Sequence, residues 1–472
     1  MINSDEFRKY AHEAVDWMAD YLENIEKYPV KANVKPYEIY NQLPDAAPEN
    51  GEAMDSIMED FQKIILPGIT HWQSPNFFAY FPANSSYPSV LAEMLTATLG
   101  VQCMIWETSP AAAELEERVM NWLKDMIGLP DFFEGVIQDT ASTATLVAIL
   151  TAREKYSSFN IIKDGFKGYD NFRVYCSTET HSSIEKAVKI AGIGKSNLVK
   201  IDVNEKLSLR PDKLREAIEE DLKNGKKPLC VIATLGTTST TAIDPLSEIA
   251  EICVRYGIWL HVDAAFAGTA LVLPEYRWMI KGIQRVDSFV FNPHKWMFTN
   301  FDCSAYFVKD KEALIRTFEI LPEYLKTKTH VSVNNYRDWG IPLGRRFRAL
   351  KLWFVIRSFG VEGIKEKIKN HIELAKDFAQ KITEHKDFEL MASVEFNLVC
   401  FRYKPDRHSG DKDIDKVNEK LLHRLNKSGK IYLTHTKVNG HYTLRFVIGQ
   451  TNVTMKHIND AWKLIQRTAA EI

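Results

Sequence analysis

Paired cysteines and metal-binding motifs are absent from this 472-residue sequence. The six cysteines are scattered singly, without a C-x-x-C pair, so the sequence offers neither a zinc knuckle nor a dithiol redox couple. There is also no H-E-x-x-H motif, and we therefore expect no metal ion. No apolar run approaches the roughly 18 residues that span a bilayer, so we expect no membrane partner.

An excess of charge of either sign is also absent. The 60 Lys and Arg residues almost balance 62 Asp and Glu residues, which leaves no basic field to hold a nucleic acid. With 45% hydrophobic and 26% charged residues, the composition excludes a disordered chain. Residues 1–13 are too polar for the apolar stretch of a signal peptide. These features predict a cytoplasmic protein with a small-molecule ligand.

Hydrophobic periodicity divides the chain into three predicted parts. Residues 1–84 have helical spacing, seen at Phe7, Tyr10, Ala14 and Trp17, and this stripe must pack on the rest of the chain or on a second subunit. Residues 85–365 alternate helices with short strands that are apolar on both faces, which predicts an α/β domain with a mostly parallel sheet flanked by helices. The predicted strands are 174–176, 198–201, 229–233, 258–262, 288–291 and 305–308.

The last part, residues 366–472, has a different pattern. It contains a predicted helix at 370–383, a strand at 394–403 and a hairpin over 431–447. The hairpin turns at Asn439-Gly440, a dipeptide favoured by tight two-residue turns. A closing helix follows at 455–469. We therefore expect a smaller C-terminal α+β domain.

Two polar residues follow apolar strands in the middle domain. Asp263 ends the strand in Ile-Trp-Leu-His-Val-Asp-Ala-Ala, and Lys295 follows the strand in Ser-Phe-Val-Phe-Asn-Pro-His-Lys-Trp, 32 residues later. Ligands of parallel sheets bind at the carboxyl ends of the strands, so both side chains are expected at that edge. Because aspartate is also a common turn residue, Asp263 could simply cap the next turn.

A lysine in apolar surroundings has a lowered pKa, so its free amine is a nucleophile toward aldehydes. A Schiff base with a cofactor aldehyde is the natural use of such an amine. A carboxylate beside a pyridine nitrogen keeps that nitrogen protonated while negative charge develops on the substrate. Lys295 and Asp263 together therefore predict pyridoxal 5′-phosphate as the cofactor.

Small and hydroxyl side chains open an apolar helix at Thr140-Ala141-Ser142. Such a helix N-terminus suits a phosphate group, although the same residues are ordinary helix caps. His181 follows a predicted strand and could stack on a pyridine ring, although a lone histidine is more often structural. The stretch 191–196 is not a nucleotide-binding P-loop, because Lys189 occupies the position of the first glycine.

These motifs, together with residues 77–82, 234–238, 300–304 and 341–348, resemble the pyridoxal-phosphate-dependent aromatic L-amino acid decarboxylases, the group that includes DOPA, tyrosine and tryptophan decarboxylases. The similarity covers nearly the whole chain. It implies a fold-type I enzyme that acts on an aromatic amino acid. It also implies a homodimer with the active site at the interface and the N-terminal helices wrapped on the neighbouring subunit.

The resemblance also implies roles for individual residues. Lys295 would hold the cofactor, Asp263 would pair with its pyridine nitrogen, and His181 and Ala265 would pack on opposite faces of the ring. The residues implied around the phosphate are Thr140, Ala141, Ser142, Asn292 and His294. Thr238 is implied to lie near the ring or the substrate. The residues implied for the substrate pocket are Trp72, Tyr80, Phe81, Pro82, Ala83, Gln102, Met104 and Gly344.

Tyr324 decides the reaction type within this family. It opens a polar stretch, 324–335, that is typical of an active-site lid. Decarboxylases that resemble this sequence use a lid tyrosine to protonate Cα after carbon dioxide leaves, whereas relatives with phenylalanine there are aldehyde synthases. The alternative is an ordinary loop aromatic. We expect Lys295, Tyr324, His181 and Asp263 to be the catalytic residues of a decarboxylase.

Substrate choice is expected to depend on a few pocket positions. Relatives that select indolic substrates tend to carry glycine at the position of Gly344, which favours tryptophan. Ala83, Gln102 and Met104 differ from the Thr, Ile and Phe typical of animal DOPA decarboxylases. Three alternatives stay open: an aldehyde synthase, a decarboxylase of another amino acid class, and a non-catalytic ligand-binding protein of the same fold.

Overall fold

The computed structural model describes residues 2–320, 333–405 and 410–472. The helices are α1 Ser4–Glu23, α2 Met54–Asp60, α3 Tyr87–Leu99, α4 Pro110–Ile127, α5 Ala141–Tyr156, α6 Ile161–Asp164, α7 Ser183–Ile190, α8 Pro211–Lys223, α9 Leu246–Tyr256, α10 Pro293–Trp296, α11 Lys311–Phe318, α12 Arg348–Glu384, α13 Asp411–Lys427 and α14 Met455–Ala470. The strands are β1 Glu134–Gln138, β2 Phe172–Ser177, β3 Leu198–Ile201, β4 Lys227–Thr234, β5 Trp259–Asp263, β6 Ser288–Phe291, β7 Ser304–Val308, β8 Phe388–Leu390, β9 Leu398–Tyr403, β10 Thr434–Val438 and β11 His441–Val447.

Seven strands form the large sheet, in the order β1-β7-β6-β5-β4-β2-β3. Strands β2 to β6 pair in parallel, whereas β7 runs antiparallel to both of its neighbours. The predicted α/β class with a mostly parallel sheet is therefore confirmed. Strand β1 was not predicted, because its Glu-Gly-Val-Ile-Gln sequence is short and only partly apolar.

Burial on both faces explains the apolar strands. Every residue of β5, β6 and β7 is buried, and α5 and α7 contribute to the core cluster on this sheet. Helix α4 begins after Ser109 at Pro110 and ends before Gly128, whose φ of +74° suits a glycine. The parallel register pairs Asp263 with Thr234 on one side and with Val290 on the other, so three strands reach the same carboxyl edge together.

A four-stranded sheet, in the order β10-β11-β9-β8, forms the core of the smaller C-terminal part. Strands β10 and β11 are the predicted hairpin, with Asn439 at φ +50° and Gly440 at φ +85°, both in the left-handed region that such turns require. The strand expected from residue 394 begins only at Leu398, because residues 394–397 do not pair with a neighbouring strand.

The chain divides into two compact units. The first unit contains Met1–Pro82, Leu374–Met391 and Val399–Ile472, and the large unit contains Ala83–Glu373 and Ala392–Leu398. The division into domains at residues 84 and 365 stays a prediction. In the described ranges, no helix is long and apolar enough to cross a membrane. The same ranges contain no group of three or more acidic, histidine or cysteine side chains arranged to hold a metal ion.

Candidate active site

Backbone hydrogen bonds join the end of β6 and the residue after it to the residues that follow β5. The N–H of Ala264 donates to the carbonyl oxygen of Val290 at 2.9 Å, and the N–H of Asn292 donates to that of Ala265 at 3.0 Å. Asn292 precedes the one-turn helix α10, which carries Lys295. The sheet therefore brings Asp263 and Lys295, distant in sequence, to one edge.

Lys295 is mostly buried, and this burial lowers the pKa of its ammonium group. The negative charge of Asp263 acts in the opposite direction and raises the pKa of Lys295. Each of the two side chains therefore lies within the electrostatic field of the other. A lysine whose charge is costly to bury supplies a neutral amine more readily than an exposed lysine does.

Asp263 is buried, and its Oδ1 accepts a hydrogen bond from the backbone N–H of Ala265 at 3.0 Å. Asp263 therefore forms the turn that the sequence analysis considered, and it does so through Oδ1. The turn does not use Oδ2. The two roles considered for this aspartate are compatible, because one carboxylate oxygen forms the turn and the other is not needed for it.

His181 lies after β2, at the start of the turn into α7. Its Nδ1 accepts a hydrogen bond from the backbone N–H of Ser183 at 3.2 Å and lies 2.8 Å from the Ser183 hydroxyl. Partial burial of the ring, in a residue that is exposed as a whole, and the charge of Lys295 lower the pKa of His181, whereas Asp263 opposes them. A neutral imidazole with an accepting Nδ1 carries its proton on Nε2. His181, Asp263 and Lys295 thus share one electrostatic environment.

The N-terminus of α5 lies close to Asn292. Thr140 is the N-cap residue, and its hydroxyl oxygen accepts a hydrogen bond from the Thr143 N–H at 3.4 Å, so the ordinary capping role is also present. The Ser304 hydroxyl lies 3.2 Å from the carbonyl oxygen of Asp139 and 2.8 Å from Oδ1 of Asn292. The helix start that contains Ala141 and Ser142 is therefore connected to the segment that precedes Lys295.

His294 is buried, and its Nδ1 accepts the backbone N–H of Cys303 at 2.9 Å. Burial and the neighbouring Lys295 lower the pKa of His294 to about 3, so the imidazole is neutral at physiological pH. Thr238 belongs to the loop that begins at Leu235, whose N–H donates to the carbonyl oxygen of Asp263 at 2.9 Å. Ala265 is partly exposed beside Asp263.

Four of the predicted pocket residues lie in the large unit. Gln102 and Gly344 are neighbours, because the Arg345 N–H donates to Oε1 of Gln102 at 2.6 Å. The backbone carbonyl of Met104 accepts the N–H of Arg337 at 2.9 Å. Ala83 precedes Asn84, and the Asn84 N–H donates to the carbonyl oxygen of His294 at 3.1 Å.

The other predicted pocket residues lie in the first unit. Trp72 stacks on Tyr80 with ring centroids 5.6 Å apart, and the Tyr80 hydroxyl lies 3.3 Å from that of Tyr432. Phe81 and Pro82 follow in the same segment. Tyr324 lies in 321–332, outside the described residues.

Two polar clusters were missed by the sequence reasoning. The Arg345 guanidinium contacts both carboxylate oxygens of Glu116, at 2.6 and 3.0 Å, and both residues are buried. His261 lies between Ser288 and Thr145, with its ring nitrogens 2.9 and 3.3 Å from their hydroxyl oxygens. His261 lies two residues before Asp263, so the sequence could have indicated it. No sequence pattern predicts its contact with Thr145. The contact between Glu116 and Arg345 likewise has no sequence pattern.

The combined residues fit pyridoxal 5′-phosphate. A mostly buried amine, a buried carboxylate and a neutral imidazole share one edge of the sheet. The N-terminus of α5 offers the first-turn N–H groups that a phosphate requires. Residues 36–404 match the pyridoxal-dependent decarboxylase conserved domain. The chain belongs to this family.

The relatives of this pyridoxal-dependent decarboxylase include both aldehyde synthases and decarboxylases. It is 44% identical to phenylacetaldehyde synthase of Arabidopsis thaliana, an alignment that covers 99% of this chain and 97% of the relative. It is also 44% identical to tyrosine decarboxylase 2 of Narcissus pseudonarcissus, over 99% of this chain and 95% of the relative. The fold matches that of Oryza sativa TDC, crystallised with PLP and tryptamine, at 37% identity and a TM-score of 0.97, covering 100% of this chain and 99% of the other.

The decarboxylase is thus a carbon–carbon lyase that requires pyridoxal 5′-phosphate, and it belongs to the aromatic amino acid group of the family. Identity alone does not separate decarboxylase from aldehyde synthase, because one relative of each kind is equally similar. The distinction has to come from individual residues.

Proposed function

We propose that this enzyme converts aromatic L-amino acids into the corresponding arylalkylamines and carbon dioxide, in the cytoplasm. The observation that carries the proposal is the convergence of Lys295, Asp263 and His181 at the carboxyl edge of the sheet, where the charge of Asp263 acts on the pKa values of both Lys295 and His181. A mostly buried lysine beside an aspartate at the edge of the sheet where ligands bind is typical of a catalytic site. The intact set therefore favours an enzyme over a binding protein of the same fold.

Each residue has a definite task in this proposal. When bound, the cofactor accepts the electron pair that remains as carbon dioxide leaves the substrate. Lys295 would hold the cofactor through its side-chain amine. Asp263 would keep negative charge beside the ring nitrogen, and His181 and Ala265 would pack on the ring. Thr140, Ala141, Ser142, Asn292 and His294 would bind the phosphate, with Thr238 near the ring or substrate.

Tyr324 determines the product in this proposal. Its hydroxyl donates a proton to Cα of the substrate after decarboxylation, so the product is an amine. The second candidate is an aldehyde synthase, which the Arabidopsis relative favours. That reaction consumes oxygen and water and releases the aldehyde, ammonia and hydrogen peroxide together with carbon dioxide.

Replacement of this tyrosine tests the assignment. We expect Tyr324→Phe to retain the cofactor but to yield aldehyde, ammonia and peroxide in place of amine, because proton donation to Cα is lost. The matched control is Tyr256→Phe at the end of helix α9, which removes a hydroxyl that donates a hydrogen bond to Glu219 of helix α8. The control should leave the product unchanged. Unchanged amine output from Tyr324→Phe would contradict the role of the tyrosine.

We also propose a preference for indolic substrates, supported by Gly344. In the large unit, the residues proposed to contact the aromatic side chain are Ala83, Gln102, Met104 and Gly344. The roles of Trp72, Tyr80, Phe81 and Pro82 stay predictions from the resemblance. The tyrosine decarboxylase relative argues for the competing, phenolic preference. Comparison of kcat/KM for tryptophan and tyrosine decides between them. A higher value for tyrosine would overturn the indolic preference.

We propose further that the enzyme is a homodimer with its active site at the interface. Helix α3 presents a row of exposed apolar side chains, Tyr87, Leu91, Leu95 and Leu99, each 47 to 61% exposed. Such a row on one helix marks a surface that a partner covers. The chain continues from α3 into Gln102 and Met104. A second copy on α3 would therefore lie next to substrate-pocket residues.

A further inference from the structure

Gln102 has a fixed amide orientation. Its Oε1 accepts the backbone N–H of Arg345 at 2.6 Å. Because a backbone N–H can only donate, the amide oxygen must face Arg345 and the Nε2 group must face away from it. The side chain as a whole is exposed. The two N–H donors of Nε2 therefore point away from the Arg345 N–H.

The amide of Gln102 also occupies the space beside Gly344. A Cβ atom on residue 344 would stand 3.3 Å from Nε2 of Gln102, a distance that requires the amide to move. The amide of Gln102 therefore fills part of the space that the missing side chain of Gly344 leaves. In the proposed pocket, Gln102 and Gly344 would therefore together affect which size and which polarity of substrate ring is accepted.

Two hydrogen bonds hold the backbone around Gln102, and the segment on the far side of one of them is itself anchored. The Cys103 N–H donates to the carbonyl oxygen of Arg345 at 3.0 Å, and the Thr108 hydroxyl donates to that of Gln102 at 2.8 Å. The Arg345 side chain is anchored by the buried carboxylate of Glu116. A donor on such a fixed segment loses little conformational entropy when it binds a ligand.

We propose that Nε2 of Gln102 donates a hydrogen bond to a hydroxyl oxygen on the substrate ring, so that the enzyme prefers hydroxylated aromatic amino acids to their unsubstituted counterparts. This inference rests on the proposed function, in which Gln102 and Gly344 belong to the substrate pocket. A phenolic oxygen accepts a hydrogen bond, whereas an indole N–H only donates and a phenyl ring has no polar atom. The preference applies to tyrosine over phenylalanine and to 5-hydroxytryptophan over tryptophan.

The test is the ratio of kcat/KM values within each substrate pair, measured on the PLP-loaded wild type and on Gln102→Met. Methionine has a similar length and no N–H donor, so the ratio should fall by about 3- to 10-fold, the contribution of one hydrogen bond. The change should appear in KM more than in kcat, because the ring contact exists both before and during the reaction. Gln380→Met, an exposed glutamine on α12, is the control and should leave both ratios unchanged.

Gly344→Ala is the second variant, since its Cβ displaces the amide without changing Gln102 itself. It should also lower the ratios, and it keeps the proposal testable if Gln102→Met does not fold. Unchanged ratios in the variant that folds and still forms amine would overturn the proposal. Absence of amine from every aromatic substrate with the wild type would instead contradict the proposed function itself.

Discussion

Asp263 shows how one residue can satisfy two interpretations. Its Oδ1 forms a turn with the Ala265 N–H, as expected of an aspartate after a strand. Its charge is within reach of Lys295 and His181, as expected of a cofactor partner. The strand-end positions of Asp263 and Lys295 could be predicted from the sequence, because apolar strands and their carboxyl edges leave a clear pattern. The oxygen used by the turn could not, since it depends on the local backbone path.

Asp263→Asn separates these two roles. Asparagine keeps an oxygen for the Ala265 N–H but carries no charge, so the turn should persist while the electrostatic support of the ring nitrogen disappears. We expect kcat to fall by about 10²- to 10³-fold, the usual effect of removing one electrostatic contact to a developing charge. The melting temperature should stay close to that of the wild type. A variant as fast as the wild type would show that Asp263 only forms a turn.

His261 predicts a specific pH dependence of stability. Burial lowers the pKa of His261 to about 4, below its usual value near 6.5. The unfolded chain therefore binds a proton that the folded chain excludes between these values. The stability from this residue is present above pH 6.5 and is lost as the pH falls through 4, at up to about 1.4 kcal/mol per pH unit.

The measurement compares melting temperatures of the wild type and His261→Gln at pH 7.5 and pH 5.0. Glutamine does not titrate, so the advantage of the wild type at pH 7.5 should shrink at pH 5.0. The Ser288 and Thr145 hydroxyls that contact the ring do not titrate, and Asp263, whose charge also acts on His261, is present in both proteins. An equal difference at both pH values would show that His261 is not the group responsible.

At the scale of elements, the buried Glu116–Arg345 pair connects α4 to the segment that carries Gly344. Loss of one partner leaves a buried charge unpaired, which typically costs about 3–5 kcal/mol. We therefore expect Glu116→Gln to lower the melting temperature by many degrees. The control is Asp460→Asn, in an exposed ion pair with Lys456, which should have almost no effect. Equal melting temperatures for both variants would contradict the structural role of the pair.

The elements show which parts of a fold leave a sequence signal. Strands β3 and β6 occupy the predicted residues. Continuous burial selects the apolar run of β6, whereas β3 is a partly exposed strand at the edge of the sheet in which three of the four residues are apolar. Strand β1 left no such signal, since Gly135 and two polar end residues interrupt it. The contact between Glu116 and Arg345 joins residues far apart in sequence, and neither position differs from an ordinary exposed charge until the chain is folded.

At the scale of the whole molecule, the exposed row on α3 is the surface through which we expect the proposed dimer to form. Leu91→Asp combined with Leu95→Asp should convert a dimer into a monomer in analytical ultracentrifugation, because charges cannot be buried in an apolar interface. Decarboxylation should be lost together with the dimer, while the far-UV circular dichroism spectrum is retained. Val254→Asp, an exposed apolar position on α9, is the control and should remain dimeric. A dimeric double variant would place the interface elsewhere.

Family membership and cofactor were the best predicted features of the whole molecule, because their motifs are local in sequence. Gln102 and Gly344 were predicted as pocket residues, but their mutual contact was not, since it is formed by two segments about 240 residues apart. The role of Tyr324 stays a prediction from resemblance. The proposed substrate preference therefore rests on a contact between distant segments, which the sequence alone does not reveal.

The central claim is amine formation from aromatic amino acids at the site of Lys295. The most direct measurement is mass-spectrometric product analysis after the PLP-loaded enzyme is incubated with all common amino acids and DOPA, in parallel with Lys295→Ala. The proposed function predicts arylalkylamines equimolar with carbon dioxide from the wild type, and no amine from Lys295→Ala. Aldehyde with ammonia and peroxide, amines from non-aromatic amino acids, or full activity of Lys295→Ala would contradict it.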